Sequence, residues 1–216
     1  MSQEPSQDSR KLKTEAFLKS RGVPINEWLP RVESEDEVQL RDARDVAIRA
    51  IILYGLAAAG HGEDRSEIRA SFEKSGIWEQ VSPNERDVFL AEELTDRQRI
   101  DSTWRVEALW ALLWSLGLVE DMPYPTELCD MQILHAVMAK SKDIESFLND
   151  LRPRSKTEVL DEVDKIYRIH WAVVDARLNG RNPPDDLHPS VVYERHYALN
   201  WLVWYADEWD DITTDT

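Results

Sequence analysis

Hydrophobic positions recur at helical spacing along most of the chain. Ala43, Val46, Ala47, Ala50, Ile51, Tyr54 and Ala58 fall three or four residues apart, the period of one helix face. Arg41, Asp42, Arg44, Asp45 and Arg49 lie largely outside that stripe. The last three turns before Gly60 are apolar nearly all round, which predicts a central helix over Glu35–Ala59. A second apolar run, VEALWALLWSLGLV, covers Val106–Val119 and is interrupted by Glu107 and Ser115. Thr95-Asp96-Arg97-Gln98 is a capping box that opens this helix, and Gly117 suits the residue just past its end. A third stripe joins Val159, Val163, Ile166, Tyr167, His170 and Val174, opened by Ser155–Glu158 and closed by Gly180. Shorter helices are predicted over Ser9–Arg21, Glu63–Lys74, the segment after Ser82-Pro83-Asn84-Glu85, Met131–Lys140 and Ile144–Leu151. In the linker Val23–Pro30, Trp28 and Leu29 are expected to dock on the core.

The final stretch begins at Pro189, which suits the first turn of a helix. At 100° per residue, Leu199, Val192, Val203, Tyr193, Trp204, Tyr197 and Trp201 share one wide arc. His196 and Asn200 fall one turn apart in the middle of it, while Glu194, Arg195, Ala198 and Leu202 share the other side. This phase buries an imidazole and a carboxamide, and buried polar groups need partners. The chain then runs into an acidic tail with Asp207, Glu208, Asp210, Asp211 and Asp215.

The pattern predicts an all-α fold, a single compact multi-helix domain of about eight to ten helices. Residues 1–8 read as a disordered N-terminus and 9–216 as the single helical domain. The helices centred near residues 50, 110, 167 and 198 should form the core, with the last packed on Trp104–Leu116. Nine tryptophans in 216 residues fit a large packed core.

Charge changes the picture more than composition does. The formal net charge is −16, from 42 acidic and 26 basic residues. That disfavours nucleic acid and anionic membrane surfaces as partners and suits a basic protein. No apolar run is long enough to span a bilayer. Cys129 is the single cysteine, which fits a reducing compartment, and the polar N-terminus does not read as a signal peptide. The expected localisation is cytoplasmic.

Candidate chemistry is sparse. Glu107, in its apolar run, must reach solvent or meet a cation. His196 and Asn200 are either a satisfied core pair, bonded to backbone or to an acid such as Glu107, or the floor of a polar pocket. His170 sits on an apolar stripe and reads as a core histidine. The acidic tail has oxygen ligands but no EF-hand spacing, and reads as solvated or pinned by Arg, Lys and capped backbone. The five histidines form no His-x-x-x-His or Glu-x-x-His pair, and no phosphate-binding glycine loop or Gly-x-Ser-x-Gly elbow is present. Cys129 has no positive neighbour in sequence to activate it. Neither a metal nor a cofactor is expected.

The stretch VVYERHYALNWLVWYADEWDDITTDT resembles the C-terminal signature of the bacterial domain of unknown function 4272 family. Trp104-Arg105 and Glu107 with LLWSLGLV, then Cys129-Asp130, resemble that family's middle segment, and Pro24, Trp28, Leu29, Pro30 and Arg49-Ala50 are compatible with it. The similarity runs roughly from residue 10 to the end. It implies an intracellular bacterial helical protein and brings no activity, substrate or cofactor. It singles out Glu194, Arg195, His196, Asn200, Trp201, Asp210, Asp211, Thr213, Thr214 and Asp215 as signature residues.

Three functions follow as expectations. The first is a noncatalytic interaction protein, of immunity or inhibitor type, for a basic protein. The second is an enzyme or small-ligand binder with a cleft formed by Glu107, His196, Asn200 and Asp210 or Asp211. The third is an oligomeric module with Tyr205 and Trp209 on a dimer face.

Overall fold

The computed structural model describes residues 6–140, 144–149 and 151–216. Among these the chain forms nine α-helices and no strand: α1 (Gln7–Ser20), α2 (Ala43–Gly60), α3 (Arg65–Lys74), α4 (Pro83–Leu90), α5 (Asp96–Ser115), α6 (Met131–Ala139), α7 (Ile144–Asn149), α8 (Lys156–Leu178) and α9 (Pro189–Leu202). Short 3-10 turns occupy Trp78–Gln80, Pro184–Asp186 and Trp209–Asp211.

The three capping boxes form as their spacing predicts, at Ser82–Glu85, Thr95–Gln98 and Ser155–Glu158. Gly117 takes the left-handed conformation past α5 (φ 71°), and the Leu118 N–H returns to the Leu113 carbonyl at 2.9 Å. An added Cβ at Gly117 would stand 2.0 Å from the Arg152 carbonyl oxygen, so only glycine fits there. At Gly60 the missing side chain lets the end of α2 close on α5; a Cβ would stand 2.9 Å from the Arg99 carbonyl oxygen.

The main core joins α2, α5, α8 and α9 through Leu53, Ala57, Leu109, Leu112, Ile169 and Leu199 among others. α9 packs on α5, as its sequence predicts, and also on α8, which α1 covers. A smaller core lies under α3 and α4, with Phe72 and Phe89 in edge-to-face contact at 5.6 Å.

Several boundaries differ from the sequence reading. α1 begins at Gln7, capped by Ser6, so Gln7 and Asp8 belong to a helix; residues 1–5 of the expected disordered segment lie outside the described residues. α2 begins at Ala43 rather than Glu35 because the Asp42 carboxylate accepts the Arg44 N–H at 2.8 Å and starts the helix there. The preceding loop is drawn into tertiary bonds instead. Lys156 donates to the carbonyls of Glu35 and Val38 at 2.7 Å each, Arg168 to that of Pro30 at 3.0 Å, and Arg10 pairs with Glu35. Leu29 is buried, but Trp28 is 93% exposed: the Trp28 N–H bonds to the Asn26 side chain in a tight turn, and only Leu29 faces inward.

Candidate functional site

α9 is buried on nearly every side, not along one arc. Val191, Val192 and every residue from Glu194 to Leu202 are buried, whereas Tyr193 and Trp204, expected inside, are 41% and 42% exposed. Glu194 and Arg195 are therefore corrected from an outer face to the interior. The reason is that both find ionic partners on α5. Arg195 donates to one Glu107 carboxylate oxygen through Nη2 at 2.9 Å and Nε at 3.1 Å, and to the Pro123 carbonyl at 2.6 Å. The other Glu107 oxygen accepts the Cys129 N–H at 2.6 Å. Glu107 is 0% and Arg195 1% exposed, so this pair survives burial only because its hydrogen bonds are supplied from all sides. Two residues earlier on α5, Arg105 holds Glu194 at 3.0 Å. Burial, then the nearby Glu107 carboxylate, pushes the Cys129 thiol well above its ordinary value, and no thiolate nucleophile results.

The opposite side of α9 carries neutral chemistry. His196 is bonded not to Glu107 but to His170 of α8, Nδ1 to Nδ1 at 2.8 Å. Such a contact needs one N–H and one bare nitrogen, so at most one of the two rings can be an imidazolium in that arrangement. Burial pulls His196 down to about 3 and His170 to about 4. Nε2 of His196 has no hydrogen-bond partner among the described residues. Asn200, one turn on, donates Nδ2 to the Thr213 carbonyl at 2.8 Å, and its Oδ1 likewise has no described partner.

The acidic tail is pinned rather than solvated. Tyr197 donates its hydroxyl to the Trp209 carbonyl. Trp209 is 3% exposed and packs edge-on against Tyr197 and Trp201, which removes it from the expected dimer face. Trp201 lies under the Arg41 guanidinium at 4.3 Å, and Arg41 also binds the carbonyls of Trp201, Ala206 and Asp207. Asp210 accepts the Ser82 hydroxyl at 2.7 Å and the Asn84 N–H at 2.9 Å, sealing the start of α4. Asp211 is exposed. The Thr213 hydroxyl lies 2.8 Å from Asp215 and 3.2 Å from the Tyr205 hydroxyl, and Thr214 is half-buried beside them.

Two concavities bear on function. The first, about 730 Å³, lies between the 30–39 loop, α8, the end of α9 and the tail; His196, Asn200, Tyr167, Trp204, Tyr205 and Asp215 are among its walls. The expected four-residue cleft does not form: His196 and Asn200 reach this space, while Glu107 is sealed with Arg195 and Asp210 caps α4. The sequence pattern places Tyr167 and Trp204 on apolar helix stripes and Tyr205 on a dimer face, and none of the three in a cleft. The signal for Trp204 was a bulky residue where α9 must end with no glycine at hand; it takes φ 59°, a left-handed conformation unusual for an aromatic residue. The second concavity, about 820 Å³, is a mostly apolar groove between α2, α3, α5 and α6. Among the described residues no group of three or more His, Cys, Asp or Glu side chains is placed to hold a metal ion, and no described helix is long and apolar enough to cross a membrane.

These features define a helical domain whose last helix is locked by buried ion pairs and whose tail is clasped back over it. The matching family model, described as domain of unknown function (DUF4272), spans residues 10–212. The chain belongs to that family. No curated protein and no solved structure matches it.

Proposed function

We propose that this is a noncatalytic interaction protein that holds a basic partner, of immunity or inhibitor type, in the bacterial cytoplasm. The observation that carries the proposal is the groove between α2, α3, α5 and α6. Tyr54, Ala58, Ile68, Val106, Leu128 and Met131 line it. Leu128 is 57% exposed and Ile133 on the neighbouring turn 47%, a cost in water that a partner would remove. Glu63 stands in the groove with His61 and His135, Glu127 precedes Leu128 and Asp130 follows two residues on, and Glu67 and Arg69 adjoin Ile68. An apolar floor with an acidic rim suits an amphipathic helix bearing large apolar residues and lysines or arginines. The net charge of −16 favours its approach from a distance.

The internal chemistry agrees with a role without catalysis. The carboxylates of Glu107, Glu194 and Asp210 are engaged in structural bonds, and the one thiol is buried and protonated.

The test uses a helical Leu/Lys peptide and a Leu/Glu peptide of the same pattern, titrated by calorimetry. The Leu/Lys peptide is expected to bind, more weakly at high salt, and Leu128→Lys should weaken it about tenfold. Equal binding of both peptides, or a Leu128→Lys variant that binds as well as the parent, contradicts the proposal.

A further inference from the structure

The groove leaves the His196 cleft without a role, and the cleft has the parts of a small-molecule site. Two buried polar side chains point unsatisfied atoms into the region. His196 is 2% exposed and its Nδ1 is committed to His170, so Nε2 is its spare group. Asn200 is 7% exposed and its Nδ2 is committed to the Thr213 carbonyl, so Oδ1 is its spare group. Both residues line the cavity of about 730 Å³. Neither atom is sealed from solvent, so each can exchange water in the cavity for a ligand N–H.

The walls narrow the kind of ligand. Glu33, Glu37 and Asp215 face the cavity against a single guanidinium, Arg31. Glu37 is held ionised, first by the Ser34 N–H and then by its hydroxyl, which pull the carboxyl below its usual range. Tyr167, Trp204 and Tyr205 supply flat apolar surface. Trp204 is kept at this rim by its left-handed backbone and by the Arg41 guanidinium, 3.7 Å from the ring centre. Excess carboxylate with aromatic walls favours a cation. The histidine pair adds adaptability. Exchanging the donor and acceptor character of His196 Nε2 at constant net charge takes two proton movements: the shared proton passes from His196 Nδ1 to His170 Nδ1, while His170 Nε2 releases a proton to water and His196 Nε2 takes one up.

We infer that the cleft between the 30–39 loop, α8, α9 and the tail binds a small organic amine or amidine, its N–H groups on Asn200 and Asp215 and its body against Tyr167 and Trp204. His196 Nε2 accepts the remaining hydrogen bond from the ligand. This site is on the far side of α9's ion pairs and does not depend on the partner groove.

The probes are tyramine, tryptamine and agmatine, each titrated into the full chain beside the neutral alcohols tyrosol and tryptophol. Binding is read by calorimetry and by the ring ¹⁵N shifts of His196. At least one amine should bind and move the His196 shifts, and the matching alcohol should bind less tightly. Asp215→Asn should weaken the amine about fivefold, and Glu33→Gln with Asp215→Asn more; both positions are exposed, so the fold should persist. If no amine binds, the site is overturned. If the alcohols bind as tightly as the amines, or Asp215→Asn changes nothing, the assignment to cations is overturned. Binding that leaves the His196 shifts unmoved places the amine elsewhere and also overturns it.

Discussion

Arg195 and His196 are neighbours on one helix, yet the two sides of α9 use polarity differently. Toward α5, Arg195 and Glu107 meet as ions with the Cys129 N–H and the Pro123 carbonyl completing their bonds. Toward α8, His196 and His170 meet as neutral rings sharing a proton. The first couple leaves little bonding capacity for anything else, and its role is to fix the register of α9 on α5. The second has an unassigned nitrogen beside a cavity. Deep burial alone therefore does not single out a site in this chain; the proposed amine site rests on polar groups that open on a cavity.

Arg195→Ala should be the most damaging single change, because it leaves the Glu107 carboxylate buried and alone. A loss of about 3–5 kcal/mol in denaturant unfolding is expected. Replacing the pair with Glu107→Leu and Arg195→Met should recover much of that loss, since a buried ion pair contributes little net stability over an apolar pair. If the double variant is no better than Arg195→Ala, the pair does more than satisfy itself. His196→Ala should cost less, about 1–3 kcal/mol, since it strands a neutral His170 nitrogen and opens a cavity. Asp210→Ala removes a carboxylate from the start of α4 and should cost about 1 kcal/mol. Asp215→Asn should be within about 0.5 kcal/mol of the parent. An Asp215 variant as damaged as His196→Ala would show that the end of the tail is structural too.

pH separates the two sides further. Both histidines bind protons more weakly in the folded chain than at their ordinary value of 6.5. Protonation therefore favours the unfolded chain. Their contribution is complete above that value and is lost as pH falls through it toward about 4 and 3. Unfolding free energies measured across this window should fall less steeply in a His170→Leu, His196→Leu variant. An unchanged slope would remove the pair from the pH response.

Much of this was legible in the chain, and the failures share a cause. Capping boxes at Ser82, Thr95 and Ser155 are local chemistry and were readable as such, as was Gly117. So was the burial of His196 and Asn200, because an apolar run forces its polar members inward; for Glu107 the sequence leaves solvent and a cation open, and the fold supplies Arg195. Partner choice was not readable. Nothing local distinguishes Arg195 from His196 as the mate of Glu107, since 88 residues separate the ion pair. Glu194 and Arg195 were placed outside because a period-based reading assigns charges to solvent. A helix enclosed on all sides has no such face. The sequence reading starts α2 at Glu35, although its apolar stripe begins only at Ala43 and Asp42 is a good cap. The cleft could not be read at all: its walls come from the 30–39 loop, α8, α9 and the tail, which only the tertiary fold assembles.

The most direct test is a ring ¹⁵N NMR titration of the histidines in the folded protein. His196 and His170 should each remain neutral near pH 6, share one proton between their Nδ1 atoms, and titrate only near about 3 and 4. A His196 signal that gains a proton near 6.5, with no coupling to His170, would contradict the division of α9 into a closed ionic side and an open neutral one.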